Sequence, residues 1–71
     1  MTDKKRLKTV IEKSGLKISF IAEQLGISRA GLFKKLNNDN EFKVSEVYKM
    51  QKILGMSDKD RDSIFFANCV E

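Results

Sequence analysis

Two short amphipathic segments follow each other between Ile18 and Leu36, and too few residues separate them for anything but a tight turn. The first segment places four apolar residues on one face at the i, i+3, i+4, i+7 spacing of a helix: Ile18, Ile21, Ala22 and Leu25. The second begins after Ser28, a residue type that favours helix starts, and turns Leu32 and Leu36 inwards one helical turn apart. Two helices joined this closely must cross steeply, so this segment limits the possible folds more than any other.

A steep crossing needs particular residue types, and the sequence has them at the required spacing. Ala22 is a small residue at the point of closest approach, and Gly26, four residues later, can adopt a positive φ without strain. Ile27 then fills the angle between the helices, Ser28 caps the next helix, and Leu32 holds that helix against the core. Residues 22–32 therefore predict a helix-turn-helix.

Capping residues and apolar spacing predict a first helix ahead of this pair. It runs from about residue 3 to residue 14, with Thr2 or Asp3 as its cap and Gly15 at its end. Three apolar residues share its inward face: Leu7, Val10 and Ile11. The third helix is expected to cover residues 29–37.

A fourth helix is expected after the polar loop at residues 37–41. Phe42 and Val44 are predicted to return to the core, and Ser45 is predicted to cap the helix, which Gly55 ends. Its inward residues are expected to be Val47, Met50, Ile53 and Leu54.

Ser57 followed by Asp60 resembles a capping box and predicts the start of a fifth helix, with Ile64 and Phe65 facing inwards. This helix extends to about Ala67, and a short extended tail over residues 66–71 is the alternative. The chain is thus predicted to form one all-α, compact five-helix domain over residues 1–71. Its helix-turn-helix core covers residues 18–37, and its apolar tail covers residues 64–71.

The composition argues against catalysis and against a metal or cofactor site. The chain has no histidine and one cysteine, so the commonest general base and the zinc frameworks of several thiolates are missing. A chain of 71 residues also offers little concave surface to hold a substrate. We therefore expect no enzyme activity, no cofactor, no metal and no small-molecule ligand.

The sequence also predicts a cytoplasmic protein without a membrane partner. There is no apolar run near 18 residues, and the charged N-terminus lacks the apolar stretch of a signal peptide. The lone thiol of Cys69 fits a reducing compartment.

Positive charge is concentrated in the first half of the chain. Residues 1–36 contain nine basic and three acidic side chains, whereas residues 37–71 contain five basic and seven acidic ones. The halves therefore carry formal charges of +6 and −2, within a total of +4. Such a basic half favours a polyanionic partner, nucleic acid above all, although a solvated lysine-rich surface would give the same counts.

Residues 22–32 have the form Ala-x-x-x-Gly-Ile-Ser-x-x-x-Leu, which resembles the signature of lambda-repressor and Cro-like helix-turn-helix proteins. The stretches 35–38, 41–46 and 64–67 add a likeness to the short phage-encoded Cro-like regulators of Gram-positive bacteria and their prophages. Two positions depart from this pattern. Ile18 stands where many relatives have a phosphate-contacting glutamine, and Lys35 stands where many have an apolar residue.

The resemblance implies a lambda-repressor-like fold and a small transcriptional repressor that binds double-stranded DNA, with its third helix in the major groove. The outward residues of that helix are the implied base contacts: Ser28, Arg29, Ala30, Phe33, Lys34 and Asn37. Arg29 is the best candidate for base reading, because a guanidinium can bond guanine O6 and N7 together; simple solvation is its alternative. Phe33 either packs on thymine methyl groups or is buried against Phe20 or the loop.

Phosphate contacts are expected around the same helices, at Lys17, Ser19, Lys35, Asn38, Asn40 and Lys43. Lys17 and Ser19 lie at the start of the second helix, whose N-terminus adds partial positive charge. Solvation is the alternative for the loop residues Asn38, Asn40 and Lys43. The basic residues of the first helix either extend this footprint or are solvated: Lys4, Lys5, Arg6 and Lys8.

The resemblance also implies a homodimer on a palindromic operator, because one such domain reads about one half-site. Phe66 and Val70 are the candidate dimer contacts, since they lie on a face distinct from Ile64 and Phe65; alternatively, the tail folds back onto the core.

A protein-interaction module, antirepressor- or antitoxin-like, is the second functional hypothesis, in which the fold is kept without DNA readout. Apolar or acidic residues on the third helix would favour it. Phe33 points slightly that way, whereas the cations of that helix point against it.

Overall fold

Within residues 2–66, five helices form close to the positions that the apolar spacing and the capping residues predict. The computed structural model describes residues 2–66. In chain order the helices are α1 (Lys4–Ser14), α2 (Ile18–Leu25), α3 (Arg29–Leu36), α4 (Val44–Leu54) and α5 (Asp58–Phe65). Residues 2–66 contain no strand, so this part of the chain is all-helical, as expected. The helices pack into a globule with principal extents of 34 × 23 × 21 Å.

Three of the helices begin with a short polar side chain that caps a backbone amide. The side chains of Asp3, Ser28 and Ser57 each accept a hydrogen bond from the N–H three residues further on, at 3.2, 2.9 and 3.1 Å. Each bond satisfies an amide that has no partner within its helix. The cap of α1 is thus Asp3 rather than Thr2, and the predicted caps of α3 and α5 are confirmed.

The start of α4 differs from the prediction. The helix begins at Val44 with Lys43 in the cap position, so the prediction that Ser45 caps it is wrong. The reason is Glu46, whose carboxylate accepts a hydrogen bond from the Lys43 N–H at 2.8 Å and closes the first turn. Val44 consequently lies on the outer side of that turn and is 62% exposed, not in the core.

The core is formed by one apolar face of each helix, and α1 packs against α3, α4 and α5. Its buried members are Leu7, Ile11, Ile21, Ala22, Leu25, Leu32, Leu36, Val47, Met50, Ile64 and Phe65. The remaining predicted inward residues are half-buried: Val10, Ile18, Phe42, Ile53 and Leu54. Phe42 packs edge-on against Phe65, with ring centroids 5.3 Å apart. The loop before α4 therefore joins the core through an aromatic pair.

The N-terminal residues connect α3 and α5. The Asp3 N–H donates to the Ile64 carbonyl at 2.7 Å, beside a side-chain hydrogen bond from Arg6 to Ser63. Thr2 is buried and pairs through its backbone with the side chain of Asn38, just after α3. These contacts hold the beginning of the chain between two helices that are distant in sequence.

The C-terminal prediction is only partly covered by the described residues. α5 ends at Phe65, with Phe66 in the cap position and exposed. Val70 and Cys69 lie outside the described residues. Among the helices of residues 2–66, none is both long and apolar enough to cross a bilayer.

Candidate nucleic-acid interface

The connection between α2 and α3 is a tight turn of three residues, Gly26 to Ser28. Gly26 has φ 71° and ψ 29°, the left-handed conformation that glycine adopts without steric cost. The Ile27 N–H donates back to the Ala22 carbonyl at 3.0 Å, and Ser28 is already the cap of α3. The turn thus joins the two helices within three residues, and α3 packs against α2.

α3 is held in place by two buried leucines and a glycine under its cap. Leu32 is fully buried and Leu36 nearly so, while Ile27 packs against the same core. A Cβ atom on Gly31 would lie 3.2 Å from the Ser28 hydroxyl oxygen, tighter than most Cβ contacts. Glycine at this position therefore leaves room for the capping hydroxyl.

The predicted base contacts all lie on the side of α3 that faces away from the core. Each of the six is exposed: Ser28, Arg29, Ala30, Phe33, Lys34 and Asn37. Those at residues 29, 30, 33, 34 and 37 follow the spacing of one helical stripe. Within residues 2–66, neither Arg29 nor Lys34 takes part in an ion pair. The outer stripe of α3 therefore offers two cations whose charge the described structure does not neutralise.

Phe33 is an outward aromatic residue on this stripe. Its side chain is 44% exposed, and that of Phe20 on α2 is 42% exposed. The alternative that Phe33 is buried against Phe20 or the loop is therefore wrong. An exposed aromatic ring on a polar helix face is available for contact with another molecule.

Four of the predicted phosphate contacts are exposed: Lys17, Ser19, Asn40 and Lys43. Lys17 occupies the cap position of α2 with an extended backbone, φ −77° and ψ 145°. The first amides of α2 have no partner inside the helix, and their partial positive charge adds to the lysine charge. Lys43 occupies the corresponding position before α4.

Lys35 does not fit the predicted phosphate contact. Its ammonium nitrogen lies 2.5 Å from Glu46 Oε1, and the two side chains are only 11% and 7% exposed. The ammonium also lies 5.9 Å from the centre of the Phe42 ring. Lys35 lies three residues after Leu32, so the two side chains share the core-facing side of α3. Lys35 therefore has a partner on α4 and is not directed towards solvent.

The environment of Glu46 favours its ionised form. Burial opposes ionisation, but the hydrogen bonds from the Lys35 ammonium and the Lys43 N–H, with the charges of both lysines, outweigh it and lower the pKa of Glu46. Glu46 is thus a carboxylate that joins α3 to the first turn of α4.

Asn38 also has a structural partner instead of a free side chain. It adopts φ 65°, a left-handed conformation that asparagine tolerates better than most residues. Its Oδ1 accepts from the Thr2 N–H at 3.3 Å, and its Nδ2 donates to the Thr2 carbonyl at 3.0 Å. Both ends of the amide are therefore used to hold the N-terminal segment, which argues against the predicted phosphate contact.

Lys8 is the member of the basic run of α1 whose side chain reaches α3; the sequence leaves open whether this run extends the interface or is solvated. Its ammonium donates to the Asn37 Oδ1 at 3.3 Å, at the C-terminal end of α3. The i, i+3, i+4 pattern of α1 shows that Lys8 is outward, but its nearness to α3 depends on how the two helices pack.

Among residues 2–66, no group of three or more His, Cys, Asp or Glu side chains could hold a metal ion. An open groove of about 630 Å³ lies along α4 instead, lined by Tyr48, Lys49, Gln51, Lys52, Gly55 and Met56. Beside it, the Arg61 guanidinium stacks 4.9 Å from the centre of the Tyr48 ring. None of the predicted contact residues lines this groove.

Comparison with known proteins gives no relative on which to base a function. No protein-family model matches the chain, and no match is found among curated proteins or solved structures. The turn and the outer stripe of α3 are therefore the features of the described residues that indicate a function.

Proposed function

We propose that this chain is a small, sequence-specific DNA-binding regulator with a lambda-repressor-like fold, in which α2 and α3 form the helix-turn-helix. One observation carries this proposal. The outer stripe of α3 holds Arg29, Phe33 and Lys34 in exposed positions, opposite the buried Leu32 and Leu36. A helix presented in this way can enter the major groove, which is wide enough for it.

Base reading is assigned to the first half of α3. In a helix-turn-helix the N-terminal residues of the recognition helix lie nearest the base edges, and Arg29 is the first residue of α3. Its guanidinium can donate to guanine O6 and N7 together, and Phe33, one turn later, can contact a thymine methyl group. Ser28, Ala30, Lys34 and Asn37 complete the surface that faces the groove.

Phosphate binding is assigned to Lys17, Ser19, Asn40 and Lys43, all of which are exposed. Cations and helix N-termini bind phosphates without regard to sequence and fix the position of the protein on the duplex. The excess of positive charge in residues 1–36 supports this role, because it attracts the duplex over longer distances.

The proposal includes a homodimer that represses transcription by occupying a palindromic operator. Two-fold symmetry places two copies of α3 about one helical turn of DNA apart. Phe66 is exposed at the end of α5 and stays a candidate for the dimer contact, as does Val70. No catalytic activity and no cofactor form part of the proposal.

The experiment that tests this proposal is selection of binding sites from a pool of random duplexes at near-physiological salt. An enriched inverted repeat, with half-sites about ten base pairs apart, would support both DNA recognition and the dimer. A single enriched half-site would support recognition and contradict the dimer. If folded protein enriches no sequence, the proposed function is wrong.

The exposed aromatic rings favour one second candidate, a protein-interaction module that keeps the fold without reading DNA. Phe20 and Phe33 are both large and exposed, as anchors of protein interfaces often are. Salt dependence separates the two candidates. DNA affinity falls by about 0.9 log units per contacted phosphate for each decade of salt, whereas a flat response would favour the protein partner.

A further inference from the structure

Among residues 2–66, the ion pair between Lys35 and Glu46 is the one charged contact that links α3 to α4 in a covered position. The two side chains are 11% and 7% exposed, and their charged atoms are 2.5 Å apart. Three other ion pairs among residues 2–66 each involve a carboxylate that is more than half exposed, at Asp58, Asp60 and Asp62. Exposed pairs of that kind contribute little to stability or orientation, because water screens them. The Lys35–Glu46 pair differs from these because both of its side chains are covered from water.

Glu46 has two partners, one on either side of the loop between α3 and α4. Its Oε1 accepts from the Lys35 ammonium and from the Lys43 N–H at 2.8 Å. The second bond closes the first turn of α4. One carboxylate thus fixes the start of α4 and holds the inner side of α3 at the same time.

An apolar residue would have been simpler at position 35. The Lys35 side chain is largely covered and its ammonium lies over the Phe42 ring, where a methionine of similar length would pack without a charge. A covered ion pair adds little net stability over apolar packing, because both charges lose their water. What it adds is direction, since the ammonium and the carboxylate must meet at one relative position of the two helices.

We propose that the Lys35–Glu46 pair positions α3 on α4 and thereby sets how sharply the outer stripe of α3 distinguishes one base sequence from another. This inference rests on the proposed function for its effect on DNA. Without the pair, the inner side of α3 is held to the core mainly by the apolar side chains of Ile27, Leu32 and Leu36, whose contacts are less directional than an ion pair. Base reading needs positions fixed within about half an ångström, whereas phosphate contacts tolerate more.

The test compares three variants by their ratio of affinities for the selected duplex and for a scrambled duplex of equal length. Lys35→Met removes the ammonium and keeps side-chain length, whereas Glu46→Gln keeps an oxygen that can accept the Lys43 N–H. We expect each single substitution to lower the ratio about tenfold, the discrimination supplied by roughly one base pair. The double substitution should lower it no further than Lys35→Met alone, because the two residues act as one unit. Affinity for the scrambled duplex should stay within twofold.

Arg61→Met is the matched control, because it also removes a largely covered cation with carboxylate partners, on α5. The Arg61 guanidinium lies 3.2 Å from Asp58 and 2.9 Å from Asp62. This control should leave the ratio of affinities unchanged even if the protein becomes less stable. A similar drop in Arg61→Met would show that lost stability causes the effect, and it would overturn the inference.

A second measurement needs no DNA. Residual dipolar couplings of backbone amides give the orientation of α3 relative to α4 in the free protein, for the wild type and for Glu46→Gln, the mildest variant. We expect α3 to reorient in Glu46→Gln and not in Arg61→Met. An unchanged orientation would overturn the positioning role. If the wild type selects no duplex, the proposed function fails, while these couplings still decide whether the pair positions α3.

Discussion

α3 and α5 have the same local construction and opposite electrostatics. Each is eight residues long and begins after a serine whose hydroxyl accepts the N–H three residues on. Each is held by a fully buried aliphatic residue, Leu32 or Ile64. However, α3 contains three cations and no acid, whereas α5 contains three aspartates and two cations. The same capping and packing rules thus build both helices, and the charge pattern is the main difference between them.

The largest expected effect is on stability, and it tests whether the core holds α3 and α5 equally strongly. Leu32→Ala and Ile64→Ala each remove a side chain with no exposed surface. Each should lower the free energy of unfolding by about 3 kcal/mol, because buried aliphatic truncations lose burial and leave a cavity. Denaturant unfolding measures both. A cost below about 1 kcal/mol for one of them would show that its helix is not held by the core.

The next effect separates the helices by function. Arg29→Ala should weaken binding to the selected duplex by about 1–3 kcal/mol and relax the preference at one base pair, because it removes the proposed two-bond contact to guanine. Lys59→Ala, which removes an exposed first-turn cation from α5, is the control. Titration of both variants against the duplex measures the difference. Equal losses would mean that affinity follows net charge and that α3 has no special role.

A smaller effect tests the shared capping geometry. Ser28→Ala and Ser57→Ala each remove a hydroxyl that accepts a first-turn N–H, at 2.9 and 3.1 Å. We expect each to reduce the free energy of unfolding by about 1 kcal/mol. Thermal unfolding at fixed pH measures this loss. Ser45→Ala is the control, because Ser45 is exposed in the first turn of α4 and caps no helix. Ser63 is less suitable, because it bonds to Arg6.

The smallest expected effect is on the pH dependence of stability. It depends on Glu46, a covered carboxylate that pairs with α3 and has no counterpart on α5. The pKa of Glu46 lies below its ordinary value of 4.5 in the folded state, because the hydrogen bonds and charges of Lys35 and Lys43 outweigh its burial. The stabilisation is therefore complete above the unfolded-state pKa and is lost as pH falls through the lower folded-state pKa. Unfolding measured between about pH 6 and pH 3 should show a flatter decline for Glu46→Gln than for the wild type. Glu41→Gln, in the exposed loop, is the control for removing a carboxylate; an equal flattening there would contradict this prediction.

Local sequence rules account for most of the fold. The caps at Ser28 and Ser57 and the turn at Gly26 follow from residue type and spacing, so they could be predicted without knowledge of the tertiary structure. The start of α4 could not, because Ser45 is a better cap by residue type than Lys43. There the reach of the Glu46 side chain back to the Lys43 N–H decides the boundary.

The candidate interface also has features that the sequence predicts and features that it does not. That Arg29, Phe33 and Lys34 face outwards follows from the helical period of α3. That Lys35 and Asn38 are engaged does not, since their partners lie 11 and 36 residues away. For Lys35, the sequence did contain an indication of its partner. Lys35 and Glu46 both occupy core-facing positions of their helices, and two opposite charges on facing inner surfaces favour a pair.

The bonds from Thr2 and Asp3 to Asn38 and Ile64 affect the order of folding. They join residues separated by 36 and 61 positions, whereas most helical contacts are local. Contacts across such separations close large loops at an entropic cost, so we expect them to form after the helices between them. The N-terminal residues are therefore expected to dock late during folding and to detach first during local unfolding. Backbone amides should consequently exchange hydrogen more slowly in α2 and α4 than at the N-terminus.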